Sequence, residues 1–288
     1  MTKSFAVIGY PVKHSLSPAL FTYLFAEYGL DASYVACEVA PEKLADHIAA
    51  MRAGDWDGLS VTVPHKLAVR SLADEEDPLV TRIGAANTLV RRGDRVAAYN
   101  TDAEGCRRAV AGQGADVSGK AVIVLGAGGA ARSAVFAALD HGAQSVRIVN
   151  RTASRAEELA RAAKDARCAA ISADPNSLQA ALNEADLLIQ ATTLGMGAPD
   201  VSPLPPSIIL PASLTVFDMV YSPLNTALLR QAEAQGCPTI DGLWMLVYQA
   251  LKQFELWTGE PVSDYAAILL RMELGTLLGE NHKPEFPR

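Results

Sequence analysis

The chain has 288 residues, 50% of them hydrophobic and 20% charged, with a net charge of −7; that is room for two ordinary domains with apolar cores. The acidic balance argues against a nucleic-acid binder and against a peripheral protein of anionic membranes. No apolar run approaches the roughly 20 residues of a membrane span, and the start MTKSFAVIGYP lacks a secretory pattern, so cytoplasmic residence is expected.

The first hundred residues alternate strand-like and helix-like segments. Residues 5–9 read as a short apolar strand, followed by the loop Tyr10-Pro11-Val12-Lys13-His14-Ser15-Leu16. Ser17-Pro18 then reads as an N-cap with proline at the first helical position, and the helix runs to Gly29 as its C′ residue. Two hydroxyls at a helix start make a small anion site, since O–H donors, free N–H groups and the dipole all favour a carboxylate. Strand, helix and strand follow at 33–39, 41–52 and 58–63. The last stops at Pro64 and presents Thr62 and Lys66 at its carboxyl end, where open α/β sheets bind ligands; a solvated lysine is the bland alternative. Residues 87–91 and 95–99 flank a Gly93-Asp94 turn and suggest a hairpin. Asn87 and Asp102 stand at strand ends, either as donors and acceptors for a polyhydroxylated ligand or as an Asx turn and a helix N-cap.

A helix after Asp102 leads through Gly112 and Gly114 to the most informative stretch. The apolar run 121–125 meets Gly126-Ala127-Gly128-Gly129-Ala130-Ala131, a helix follows, and strand 146–149 ends in Asn150-Arg151-Thr152. Gly126, Gly128 and Ala131 occupy the dinucleotide-fingerprint positions. An NAD site carries a carboxylate at the second strand end for the ribose 2′-OH. Here Arg151 and Arg155 stand there instead, and two guanidinium groups can clamp a 2′-phosphate. NADP is therefore the expected cofactor. Ser154-Arg155-Ala156-Glu157 also reads as a capping box, which would leave Arg155 on a first helical turn.

Further strands are expected at 169–171, 186–191, 214–219 and 238–240. With helices between them they make about six strands in βα alternation, a doubly wound parallel sheet. From Asp241 a helix that is apolar on nearly all faces implies burial, with Gln249 its polar exception or its solvent-facing strip. Gly259 and Pro261 end it, a last helix covers 264–278, and the polar tail 281–288 is expected to be loose. Four scattered cysteines form no C-x-x-C and five histidines show no ligand spacing, so no metal is expected.

Seven motifs, in order, resemble the shikimate dehydrogenase family over nearly the whole chain. They are Tyr10–Pro18, Val61-Thr62-Val63-Pro64-x-Lys66, Gly84-Ala85-Ala86-Asn87-Thr88, Asn100-Thr101-Asp102, the Gly126–Ala131 turn with Asn150-Arg151-Thr152, Asp218-Met219-Val220-Tyr221-x-Pro223, and Asp241–Ala250. The resemblance implies an α/β fold of two domains facing each other across a cleft. One is an N-terminal substrate domain, 1–102 with 242–288; the other is a Rossmann-like NADP domain, 103–241. It implies reduction of 3-dehydroshikimate to shikimate with Lys66 and Asp102 catalytic, and a monomer or homodimer. Ser15 and Ser17 would bind the substrate carboxylate, and Thr62, Asn87, Tyr221 and Gln249 would surround the rest of a cyclic polyhydroxy acid. Gly126, Gly128, Gly129, Ala130, Asn150, Arg151 and Arg155 would bind NADP.

The chain departs from the family pattern at Ser60, where asparagine is usual, at Leu67, where glutamate is frequent, and at Phe21-Thr22, where His-Asn is frequent. Ser60 bears on which acid is bound. A quinate or aminoshikimate dehydrogenase of the same architecture is the alternative within the family; the arginines argue against an NAD-dependent quinate enzyme. A non-catalytic NADP-binding regulator should have lost Lys66 or Asp102. A methylenetetrahydrofolate-type dehydrogenase shares the layout but not the paired serines.

Overall fold

A computed structural model describes residues 2–279. Its elements alternate from the start: β1 (Lys3–Gly9), α1 (Ser17–Glu27), β2 (Ala32–Glu38), α2 (Leu44–Ala53, after a 3-10 turn at Pro41–Lys43) and β3 (Gly58–Val61). Next come β4 (Glu75–Glu76), α3 (Pro78–Ile83), and the hairpin β5 (Thr88–Arg92) and β6 (Arg95–Tyr99), turned at Gly93 with φ 67°. Then follow α4 (Asp102–Gly112), β7 (Ala121–Leu125), α5 (Gly129–Asp140), β8 (Ser145–Val149), α6 (Ala153–Ala163), β9 (Cys168–Ala170), α7 (Pro175–Asn183) and β10 (Leu187–Gln190). The chain ends in β11 (Thr215–Asp218), α8 (Ala227–Ala234), β12 (Thr239–Ile240), α9 (Gly242–Thr258) and α10 (Asp264–Leu277).

Two compact units result: the chain through Asp102 together with Gln249–Leu274, and Ala103–Tyr248 together with the chain from Gly275. The first holds a mixed sheet ordered β2-β1-β3-β5-β6-β4, parallel from β2 through β3 and antiparallel at β3–β5 and β5–β6. The second holds a wholly parallel sheet ordered β12-β11-β10-β7-β8-β9. Its two halves wind outward from β7 and β10, which makes the space beyond their carboxyl ends the topological switch point.

Burial explains why the strands read as apolar runs. In β7 and β10 nearly every residue is buried, because helices cover both faces of a parallel sheet. In the first unit Phe5, Phe21, Phe25, Tyr34, Phe254 and Trp257 form one aromatic cluster, with Phe21 and Tyr34 stacked at 4.5 Å. A second cluster of Ile8, Ile48, Met51, Leu59 and Leu89 packs α2 against the sheet. In the other unit Leu178, Leu188, Leu204, Val216 and Leu228 do the same for α7 and α8.

Several boundaries differ from expectation. Strand β3 stops at Val61 rather than 63: Thr62 still donates to the Ile8 carbonyl, but Pro64 has no N–H to continue the ladder. Ser17 is the first residue of α1 and not its N-cap, which is Leu16 without a side-chain cap. The capping box at Ser154 does not form either; Thr152 is the N-cap of α6 and makes no side-chain bond. Strand β4 and helix α3 were not anticipated. Asp77 caps α3 by accepting from Leu79 N–H, Pro78 follows, and Gly84 closes it with φ 78°, so a start and stop signal was present around a single helical turn or so. The expected loose tail at 281–288 lies outside the described residues. Among the described residues no helix is long and apolar enough to cross a membrane, and no group of three acidic, His or Cys side chains is placed to hold a metal ion.

Candidate active site

In the first unit the polar residues gather at strand ends. Gly9 ends β1 against Thr62; a Cβ at Gly9 would meet Thr62 Cγ2 at 2.5 Å, so the closeness of the two strand ends depends on glycine. The next turn is tied down by His65, which is fully buried and donates from Nε2 to the Val39 carbonyl at 2.6 Å. Its backbone N–H donates to the Thr62 carbonyl, and Ala86 N–H to the Lys66 carbonyl. Lys66 is thereby anchored on both sides.

Lys66 is no solvated surface lysine. Its side chain is 14% exposed, and Nζ donates to Asp102 Oδ2 at 2.5 Å, with Asp102 4% exposed. A pair so far out of water holds only with further hydrogen bonds. Asn87 supplies one: Nδ2 donates to Asp102 Oδ1 at 2.9 Å, to Thr101 Oγ1 at 2.9 Å and to Gln249 Oε1 at 3.2 Å. Asn87 Oδ1 accepts from Thr101 N–H at 2.7 Å and from the Thr88 hydroxyl at 2.9 Å. Asn100 is buried alongside and donates to the Ala85 carbonyl, joining the two strand-end motifs. Gln249 is buried on α9, so it is not on a solvent-facing strip.

The serines lie beyond β1, Ser15 in the connecting loop and Ser17 as the first residue of α1. Ser15 Oγ accepts from Ser17 N–H at 3.2 Å, which leaves the Ser15 O–H to donate elsewhere. At the start of α1 the Ser17 N–H is held by Ser15 Oγ, Pro18 has no N–H and the Leu20 N–H donates to the Leu16 carbonyl, so the two serine hydroxyls and the helix dipole are what this end offers an anion. Lys66, Asp102, Asn87 and Gln249 are thus joined by direct hydrogen bonds; Thr62 directly follows β3, while Ser15 lies in the loop between β1 and α1 and Ser17 opens α1, all in the same unit. Tyr221 belongs to the other unit; its substrate role rests on the resemblance alone.

Ser60 turns inward. Its hydroxyl accepts from Tyr34 OH at 2.7 Å and donates to Gln253 Oε1 at 2.7 Å, all buried. Sequence reasoning missed Gln253 and Tyr34. The available signal was spacing: Gln253 follows Gln249 by four residues and so shares its helix face.

In the second unit Gly126 follows β7 with φ 118°, and a Cβ there would meet the Ala191 carbonyl oxygen at 3.2 Å. A Cβ at Gly128 would meet nothing within 4 Å. Helix α5 opens at Gly129 with no side-chain cap, and Ala131 is fully buried against the sheet. Bare N–H groups above an open glycine at the switch point fit a pyrophosphate. Asn150 Nδ2 donates to the Thr152 carbonyl, and Arg151 and Arg155 are exposed at the end of β8 and on the first turn of α6. Gln190, also missed from sequence, is fully buried at the end of β10. It accepts from Thr192 N–H and donates to Thr192 Oγ1 and the Leu194 carbonyl, which shapes the loop facing Gly126. Asp218 closes β11 fully buried, accepting from Val220 N–H at 3.0 Å and the Thr226 hydroxyl at 2.7 Å; burial pushes its carboxyl up to about 6.

A parallel sheet with a dinucleotide fingerprint, and a separate α/β unit carrying a buried lysine–aspartate pair, define a class: a two-domain nicotinamide-type oxidoreductase. Comparison with known proteins narrows it. Residues 7–89 match the shikimate dehydrogenase substrate binding domain, 109–195 the shikimate/quinate 5-dehydrogenase domain, and 242–268 the shikimate 5′-dehydrogenase C-terminal domain. The NADP(+) shikimate dehydrogenase of Halobacterium salinarum is 44% identical over 92% of this chain and 97% of its own length. The shikimate 5-dehydrogenase of Thermus thermophilus, solved with NADP(H) and shikimate, superposes with a TM-score of 0.85 at 36% identity, covering 94% of this chain and 99% of its own. A 5-ketofructose reductase from a Gluconobacter strain, solved without ligand, has a TM-score of 0.81 at 30% identity over 95% of this chain and 99% of its own. The chain belongs to the shikimate dehydrogenase family.

Proposed function

We propose that this protein is an NADP-dependent shikimate dehydrogenase that reduces 3-dehydroshikimate to shikimate in the cytoplasm, as a monomer or homodimer. The observation that carries the reading is the Lys66–Asp102 pair, 2.5 Å apart and held by Asn87. The first unit takes the substrate and the second the cofactor.

NADP, held by the Gly126–Ala131 turn and by Asn150, Arg151 and Arg155, supplies the hydride chemistry that the side chains lack. Lys66 as ammonium stabilises the developing charge on the reacting oxygen and gives it a proton; in the reverse direction neutral Lys66 takes that proton. Asp102 keeps the amine in place. Ser15 and Ser17 bind the carboxylate with two hydroxyls at the positive end of the α1 dipole. Thr62, Asn87 and Gln249 fix the ring hydroxyls, where each donor and acceptor excludes an analogue lacking its partner.

Reduction of NADP+ with shikimate, quinate or neither, repeated with NAD+, tests this directly, with 5-ketofructose and NADPH as a further arm. The expected result is strong turnover of shikimate with NADP+ and weak turnover elsewhere. A preference for quinate would move the protein to the quinate enzymes, and one for 5-ketofructose to the sugar reductases; either would defeat the proposal.

A further inference from the structure

Asn87 has two amide ends of nearly equal size, and only one orientation gives an N–H to Asp102. The other would set a carbonyl oxygen against the carboxylate and against Gln249 Oε1. The orientation is decided by donors on the far side. Thr101 N–H cannot be an acceptor, so the atom 2.7 Å away is Oδ1. The second donor is the Thr88 hydroxyl at 2.9 Å; its other hydroxyl neighbour, Thr101 Oγ1, is farther off at 3.4 Å, and a group that donates to the Thr88 oxygen instead of accepting from it leaves the single proton for Asn87.

Gln253 does that. Its Nε2 donates to Thr88 Oγ1 at 3.0 Å and to the Asn87 carbonyl at 3.1 Å. The Asn87 carbonyl can only accept, which settles Gln253 as firmly as Thr101 settles Asn87. Gln253 Oε1 then accepts from Ser60, and Ser60 from Tyr34. Every donor in this series points the same way, from Tyr34 through Ser60, Gln253 and Thr88 to Asn87. Gln253 and Thr88 are almost wholly buried, so a partner lost here is not replaced by bulk water.

We infer that Gln253 and Thr88 are positioning residues for the reaction: a one-directional chain of buried hydrogen bonds through them acts with the Thr101 N–H to hold the Asn87 amide with its N–H groups toward Asp102 and Gln249. The inference rests on the reading of Asn87 as a substrate-binding side chain. It makes α9 the element that adjusts the strand-end site, through Gln253 from behind and Gln249 from beside.

The test is steady-state kinetics with shikimate and NADP+ on Thr88→Val, Thr88→Ser, Gln253→Leu, the Thr88→Val/Gln253→Leu pair and Asn87→Ala. Thr88→Val keeps shape and removes one hydroxyl. It is expected to lower kcat/KM for shikimate about tenfold and to leave KM for NADP+ within about twofold. Thr88→Ser restores the donor and should recover most of the loss. The paired variant should be little worse than the weaker single one, because both break one chain. Unchanged kcat/KM in Thr88→Val, failure of serine to rescue, or additive losses in the pair would overturn the inference. Should Gln253→Leu not fold, the valine and serine variants decide alone. Asn87→Ala separates the two levels: a large loss there with none in Thr88→Val defeats only the chain, whereas no loss in Asn87→Ala defeats the substrate reading and the chain with it.

Discussion

Lys66 shows why residue type alone says so little. A lysine is normally solvated, and what makes this one chemical is an anchored turn and a carboxylate at 2.5 Å. Replacing it by methionine keeps the aliphatic stem and removes the proton donor. Lys66→Met is expected to lower turnover by at least ~100-fold while NADP+ binding persists; near-normal turnover would reject the role. Removing the ammonium also leaves the buried Asp102 carboxylate without its counter-charge, so some loss of melting temperature accompanies it. Asp218 has a pH consequence. Its carboxyl stands near 6 against an ordinary 3.8. Between those values the folded chain keeps a proton that the unfolded chain has released, so Asp218 makes stability fall as pH rises from about 4 to about 6, by about 3 kcal/mol at most. Above about 6 its contribution is flat. Denaturant titrations of the protein and of Asp218→Asn should diverge across that window and run parallel above it; parallel profiles throughout would contradict the burial argument.

Among the elements, β3 and α9 are packed and hydrogen-bonded to each other beside the site. Trp257 on α9 lies over Gly58 at the start of β3 and donates from Nε1 to the Leu89 carbonyl at 3.0 Å. A Cβ at Gly58 would sit 2.3 Å from that nitrogen. Gly58→Ala should therefore cost about 1–3 kcal/mol by overpacking, measurable as a lower denaturant midpoint; an unchanged midpoint would mean the indole moves freely. In the proposed function the cofactor preference is assigned to the start of α6. The end of β8 has no carboxylate, and Arg151 and Arg155 expose two guanidinium groups there of the kind that pairs with phosphate. Changing both to serine should narrow the ratio of kcat/KM for NADP+ over NAD+ by about tenfold or more, and an unaltered ratio would show them to be ordinary surface charges. The elements that sequence reading overlooked, β4 and α3, are two and six residues long. Neither is long enough to show a period, and β4 is held by pairing with β6 rather than by its own apolar content.

For the molecule as a whole, the two units predict two ligand footprints. Hydrogen exchange with NADP+ should slow the amides at 126–132 in the second unit, and exchange with shikimate those around 85–102 in the first. The opposite assignment would exchange the roles of the units. Apart from β4 and α3, the order of strands and helices, the glycine turn with its arginines, and the identity of the polar strand ends were legible in the sequence, because each is local: period, capping residue, or a few consecutive side chains. The hydrogen bonds among Lys66, Asn87, Asp102, Gln249 and Gln253 were not, because they join residues up to 166 positions apart. Only the antiparallel register that sets Ser60 opposite Thr88, and the docking of α9 that lowers Gln253 between them, bring these groups into reach. No periodicity encodes a register between strands so far apart; it is decided when both strands bury their apolar faces in one core, and the orientation of every amide in the site follows from that.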